Sequence, residues 1–378
     1  MDENGGHSEK PAPTGGEGAA APELDVIVAA DGAAGIVTLN RPAARNALTT
    51  AMRAAIADGF RRWGRDPAIY AVLVASAADG VFCAGGDLKE MTDWGKTRRA
   101  DARAALAAEY ALNWRLDCFS KPTVALMDGV VMGSGVGITL YGTHRVAGEN
   151  YRFAMPETGV GLFPDVGTSW VLARLPDDIG MYLALTGRAV SPADAYQLGL
   201  VTHCIPAARF GEIRAALCGA DPVDPVLELL HDDPGLGELE ALRPAIARCF
   251  SAPTVEAVLA RLRAERGLVQ TWAEGVLEAL QARSPTSLKI THRLLALAPT
   301  LDLRECLIHD YRIACRCLEA HDLYEGVRAL LVDRDQTPRW QPAGLEDVTE
   351  AMVAAYIAPL ALGELELPSR DEMQAVAP

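Results

Sequence analysis

Two carboxylates eight residues apart, Glu157 and Asp165, each follow a proline and lie just beyond a glycine-rich run at residues 129–137. A glycine-lined helix N-terminus presents backbone N–H groups to an anion or a developing oxyanion. Carboxylates beside such a turn can carry protons or attack a carbonyl. A second glycine pair, Gly85-Gly86, precedes Asp87 in the stretch VFCAGGDLKEM. Glycines there let the chain turn tightly with its N–H groups exposed. Each feature has a plainer use. Gly-Gly also serves as an ordinary strand-to-helix turn, Asp165 has the chemistry of a helix N-cap, and Glu157 could be a turn acid.

These residues need elements to hold them. TVALM reads as a short buried strand ending at the glycine-rich turn, GITLYG as a helical start, and YRFAM as a second strand; Pro164-Asp165 begins another helix. Upstream, LDVIVAA, an Asp31-Gly32 turn and GIVTLN form a β-hairpin, which Asn40-Arg41-Pro42 stops. A helix is expected from about Thr49 to Trp63, with Met52, Ile56, Phe60 and Trp63 on one face and Gly64 as its C-terminal cap. IYAVLVAS is the next strand. Residues 98–119 form a long helix with Leu106, Tyr110 and Trp114 facing the core. Glu109 flanks that stripe, where a lone acid is usually solvated but can reach into a cleft.

SPADAYQLGLVTHCIP reads as helix, tight turn and strand. Residues 206–218 and most of 222–334 are helical by pattern. Breaks fall at 233–235, 252–253 and 284–285, where Ser284 is a good N-cap with proline following. Strands alternate with helices in the first half and helices stand alone in the second, an α/β fold followed by a helical layer. The expected division is a disordered tail at 1–22, a core at 23–220 and a helical region at 221–378.

Composition narrows the function. Half of the 378 residues are hydrophobic, and no apolar run reaches the roughly 18 needed to span a bilayer. A formal charge of −15 argues against nucleic acid or an anionic membrane as partner. An anionic ligand would need a local basic patch. The eight cysteines form no CxxC pair and the histidines no HExxH, so no metal site is expected. Reduced thiols point to a cytoplasmic protein, and the polar, acidic residues 1–22 resemble neither a signal nor a transit peptide.

LNRPAARNAL, VFCAGGDLKEM, KPTVALMDGVVMGSGVG and FAMPETGVGLFPDVG resemble the crotonase (enoyl-CoA hydratase/isomerase) superfamily. Within it, MPETGVGLFPDVGTSWVLARLP, SPTSLK and HDLYEGVRALLVDRDQTPRW are most similar to the 3-hydroxyisobutyryl-CoA hydrolase branch, over about residues 24–345. The resemblance implies a spiral of ββα turns with a C-terminal helical region. It also implies an acyl-CoA substrate with no separate cofactor, a place in valine breakdown, and assembly as a dimer, trimer or hexamer. The thioester carbonyl would lie between the N–H groups of Gly86 and Ser134, where the family usually has glycine at the second position.

Of the two glutamates used by the hydratases, one matches Glu157 and the other falls at Gly137 and is missing. Asp165 stands where the hydrolase branch has aspartate. By the same resemblance Glu157 is the base or nucleophile, Asp165 orients the β-hydroxyl or water, and Glu109, Gly133 and Asp87 contact substrate. Arg41, Arg45 and Lys89 are candidates for the anionic end of CoA.

Overall fold

The structure is a computed structural model that describes residues 1, 24–361 and 363–375. The expected tail, apart from its first residue, lies outside the described residues. In chain order the strands are β1 (Val26–Asp31), β2 (Ala34–Leu39), β3 (Ala71–Ser76), β4 (Val81–Cys83), β5 (Thr123–Met127), β6 (Val130–Met132), β7 (His144–Ala147), β8 (Arg152–Ala154) and β9 (His203–Cys204). One sheet has the order β1-β2-β3-β5-β7-β9 and a smaller one β4-β6-β8. Successive turns of the chain therefore lay one strand in each sheet, which is the expected spiral. Apart from the β1–β2 hairpin, the pairings are parallel, as crossover connections require.

The large sheet is buried on both faces. Ile36, Leu73 and Leu126 join one apolar cluster, and their sequence neighbours Val37, Val72 and Met127 join the other. Side chains alternate across a strand, so a sheet covered on both sides reads as continuous apolar runs. The helices of the first half are α1 (Thr50–Arg65), α2 (Leu88–Thr97), α3 (Arg99–Asp117), α4 (Ser134–Gly137), α5 (Thr168–Leu172), α6 (Ile179–Thr186) and α7 (Pro192–Gln197). Next come α8 (Phe210–Cys218) and α9 (Val223–Leu230), whose Ile213, Leu217 and Leu227 cover the outer sheet face.

The helical region continues with α10 (Leu239–Phe250), α11 (Val255–Ala264), α12 (Gln270–Gln281), α13 (Pro285–Leu297), α14 (Leu303–Cys317), α15 (His321–Val327), α16 (Glu350–Ile357) and α17 (Arg370–Ala375). Ser284 caps α13 by accepting from Ser287 N at 3.1 Å, as its sequence suggests. Helix α14 packs on α3, bringing the second half of the chain against the site. No described helix is long and apolar enough to cross a membrane.

Several elements depart from the sequence reading. Gly64 is inside α1 and not its cap; the helix runs to Arg65. The Lys121 ammonium donates to Trp63 O, Asp66 O and Ile69 O at 2.5–2.7 Å, tying the last turn of the helix to the loop after it. The run at 129–137 is more than a turn, since it contains β6. The helix expected from GITLYG is the single turn α4, which starts at Ser134 and ends before Ile138. The helix expected at Pro164 begins at Thr168.

Candidate active site

Two glycine turns face one another. The first follows β4, with Gly85 at φ +113. Leu48 pairs with Gly86 as a parallel bridge: Leu48 N donates to Gly85 O at 2.8 Å and Leu48 O accepts from Asp87 N at 3.0 Å. Asp87 caps α2 by accepting from Lys89 N and Glu90 N at 3.2 and 3.1 Å, and its other oxygen accepts from Arg41 at 2.8 Å. Burial pushes its carboxyl up, but the Glu90 N–H and Arg41 outweigh that and hold it below the usual range. Both Asp87 oxygens are engaged by the protein. These contacts fix the residue that follows Gly86, so Asp87 shapes the turn whether or not it also meets substrate.

The second turn joins β6 to α4 through Gly133, at φ 47 and ψ −122. A Cβ on Gly133 would stand 4.0 Å from Gly86 N, and one on Gly86 would stand 2.9 Å from Ser134 Oγ. Among the described residues neither Gly86 N–H nor Ser134 N–H has an acceptor. The Ser134 hydroxyl donates to Glu109 Oε1, so the side chain added where the family usually has glycine is tied to α3. Glu109 is only 3 % exposed, so of its two readings it is the acid that reaches inward. Its other oxygen is 3.1 Å from Arg53 Nη1.

Glu157 opens a 3-10 turn (Glu157–Gly159) directly after β8. It is buried, and its Oε2 has no hydrogen-bond partner among the described residues. Its other oxygen faces Gly133, whose Cβ, if present, would be 3.1 Å away. Burial, then the Asp165 charge, raises the Glu157 carboxyl well above the usual range, against the Arg283 guanidinium.

Asp165 keeps a partly exposed edge and accepts from Tyr110 Oη at 2.9 Å. Desolvation and the Glu109 charge push it up to about 7, against the Tyr110 hydrogen bond and the Arg53 charge. It is not the helix cap its sequence allowed, for Gly167 occupies that position. Val166, β-branched, sits at φ 52, a left-handed conformation that costs energy. Tyr141 Oη donates to Val166 O, and Gly167 N donates to Asp310 Oδ2 at 2.7 Å, so the elbow carrying Asp165 is braced on both sides.

The anticipated cations divide. Arg41 is taken up by Asp87 and by Ala47 O at 2.9 Å. Arg45 and Lys89 are exposed beside the first glycine turn; Ala84 N donates to Arg45 O at 3.0 Å. No group of three His, Cys, Asp or Glu among the described residues is placed to hold a metal.

Sequence reasoning overlooked Arg53, Arg283 and Asp310 and read Tyr110 only as core. Arg53 alone had a local signal: it lies three residues before Ile56, on the flank of the buried stripe of α1.

Together the residues offer two free N–H donors, an unpartnered carboxylate oxygen and a second carboxyl, an arrangement suited to acyl chemistry. The family model described as enoyl-CoA hydratase/isomerase matches residues 34–357. Mitochondrial 3-hydroxyisobutyryl-CoA hydrolase of Rattus norvegicus is 39% identical over 90% of this chain and 91% of its own length. The Homo sapiens protein of that name is 36% identical, over 90% of each chain. A carnitinyl-CoA dehydratase structure from Mycobacterium thermoresistibile superposes with TM-score 0.86 at 38% identity, covering 91% of this chain and 99% of that one. An enoyl-CoA hydratase structure from Rhodobacter sphaeroides gives 0.83 at 38% identity, covering 89% and 98%. With spiral, motifs and relatives in agreement, the chain belongs to the enoyl-CoA hydratase/isomerase (crotonase) family and is an acyl-CoA enzyme.

Proposed function

We propose that this enzyme hydrolyses a 3-hydroxyacyl-CoA thioester, with 3-hydroxyisobutyryl-CoA as the leading substrate and valine breakdown as its setting. The observation that carries this reading is the unpartnered Glu157 oxygen facing the Gly133 turn, beside two N–H groups with nothing to bind. The thioester oxygen accepts from Gly86 N–H and Ser134 N–H, which stabilise the charge that grows on it. Losing one such donor costs about 3 kcal/mol of transition-state stabilisation.

Glu157, once ionised, either takes a proton from a water that adds to the carbonyl carbon, or adds there itself. In the first case the C–S bond breaks and the proton held by Glu157 passes to the leaving CoA sulfur. In the second the C–S bond breaks to leave a mixed anhydride on Glu157. Water then hydrolyses it to the product carboxylate and the restored Glu157 carboxylate, the water's protons going to the CoA thiolate and to solvent. Asp165, steadied by Tyr110, orients the 3-hydroxyl or the water. Arg45 and Lys89 are the exposed cations available to the anionic end of CoA.

The similar hydratase and dehydratase structures raise enoyl-CoA hydration as the alternative. Residue 137 speaks against it. A Cβ on Gly137 would stand 2.7 Å from Asn113 Nδ2 and 2.9 Å from Val166 Cβ. A second glutamate therefore has no space where the hydratase pattern would put it. The test measures free thiol from a panel of 3-hydroxyacyl-CoA esters beside the enoyl absorbance of crotonyl-CoA. Thiol release with crotonyl-CoA untouched is the expected result; loss of enoyl absorbance without thiol, or an inert protein, overturns the reading.

A further inference from the structure

The hydrolysis scheme makes no use of Arg53, yet this side chain is linked, through one intermediate residue each, to both halves of the donor pair. Its Nη1 donates to Leu48 O at 3.3 Å and lies 3.1 Å from Glu109 Oε2. Leu48 clamps the residues on either side of Gly86, through Gly85 O and Asp87 N. The other oxygen of Glu109 holds the Ser134 hydroxyl. An unbroken chain of polar contacts thus runs from the Gly86 turn through Leu48, Arg53 and Glu109 to Ser134.

A third tie reaches α2. Arg53 Nη2 is 3.4 Å from Thr50 Oγ1, and Thr50 donates through N and Oγ1 to Glu90 at 2.8 and 2.9 Å. Arg53 and Glu109 are 8 % and 3 % exposed. Such a pair gives up hydration that its mutual attraction only partly restores, so stability alone is a weak reason to have it. Fixing geometry is a better one, because oxyanion donors act only when both stand near hydrogen-bond distance of the same atom.

We propose that Arg53 and Glu109 are positioning residues that set the spacing between the Gly86 and Ser134 N–H groups, so that both reach one thioester oxygen. This rests on the hydrolase reading. Arg53 touches neither the carbonyl nor the leaving group; it acts through Leu48 on one side and through Glu109 and Ser134 on the other. The link belongs to this chain's own side chains, since a glycine at position 134 could not make it.

The test compares wild type with the double variant Arg53→Met/Glu109→Gln, which removes both charges and leaves no lone buried ion, and with Arg53→Lys. Thiol release gives kcat and KM. The infrared carbonyl band of bound acyl-CoA reports polarisation without turnover, and circular dichroism reports folding.

The wild-type band is expected to fall below that of the free thioester. The folded double variant should keep KM within about 3-fold, lose roughly 30- to 100-fold in kcat and return the band toward its position in water; Arg53→Lys should fall between. A folded double variant with kcat within about 3-fold of wild type overturns the proposal. So does an unchanged band, or a wild-type band no lower than in water. If the double variant does not fold, Arg53→Lys decides by the same split. If wild type releases no thiol, the hydrolase reading falls, and the band comparison still decides the positioning role.

Discussion

Gly133 and Glu157 stand so close that a Cβ on the glycine would lie 3.1 Å from Glu157 Oε1 and 3.4 Å from Gly85 Cα. The glycine's φ of 47 with ψ of −122 adds backbone strain for any other residue. Gly133→Ala should therefore push the carboxylate and both glycine turns apart. We expect a loss in kcat/KM of about 100-fold or more, with a destabilisation of about 1–3 kcal/mol. Steady-state thiol release and thermal melting check this; activity near wild type would show that Glu157 does not work from this position.

Removing the Glu157 charge separates chemistry from binding. Glu157→Gln keeps the shape and removes the group that attacks or takes a proton. Thiol release should drop by about 1,000-fold or more, while acyl-CoA affinity, read by calorimetry, should stay within about 3-fold. Undiminished turnover would remove Glu157 from the mechanism.

The acid limb of kcat/KM should sit near neutrality and not near pH 4. The working carboxylates are ionised, burial raises Glu157, and Asp165 is pushed up to about 7. Activity should accordingly fall as the pH drops through that range. The groups acting on Asp165 are Glu109 and Tyr110 on α3, Arg53 on α1, Glu157 after β8 and Asp310 on α14. The Tyr110 hydrogen bond lowers Asp165, so Tyr110→Phe should move the limb upward. Asp165→Asn takes a negative charge away from Glu157 and should move whatever activity remains downward. The two limbs belong to a coupled pair, and a profile unmoved by both variants would exclude the pair from the rate-limiting ionisation.

Asp310 gives a prediction about stability. It is fully buried, its Oδ1 lacks a partner among the described residues, and desolvation followed by the Asp165 charge raises it well above the usual carboxyl range. A carboxyl whose folded pKa exceeds its unfolded one favours the native state below the unfolded value, about 4, and loses that contribution as pH rises toward the folded value. Asp310→Asn resembles the neutral acid and can still accept from Gly167 N. The melting temperature of the variant relative to wild type should thus increase from pH 5 to pH 8. A difference that is flat or shrinks with pH would mean that Asp310 is ionised in the folded protein.

Much of this is legible in the sequence. The apolar runs ending in β3 and β5, the buried stripe of α1 and the cap at Ser284 all follow from local pattern, because burial and capping leave periodic or positional marks. Strands β6 and β7 were missed. Three residues between glycines and four behind Thr143 are too short to show a period, and only pairing in the spiral defines them. Glu157 and Asp165 stood out by type and spacing. Their surroundings did not, since Arg53, Asp310 and Arg283 come from elements 100 or more residues away from them, and no local signal records such meetings. Glu109 shows the difference best: on its helix it looks solvated, and only the arrival of Arg53 and Ser134 makes its burial tolerable.

Asp87 separates a residue that holds from one that binds. Its side chain caps α2 and receives Arg41, and both contacts lie one residue from the Gly86 donor. Asp87→Ala should lose the cap and part of a half-screened ion pair, about 1–2 kcal/mol together. It should also lower kcat by roughly 10-fold as the Gly86 N–H shifts. Asp87→Asn retains a capping oxygen and gives up only the charge, so its kcat should stay within about 3-fold of wild type. A direct ligand contact through the carboxylate predicts the reverse: KM would rise in both variants, and asparagine would be no better than alanine. Measuring KM and kcat for the two substitutions side by side therefore decides whether this acid meets the substrate or only shapes the turn that does.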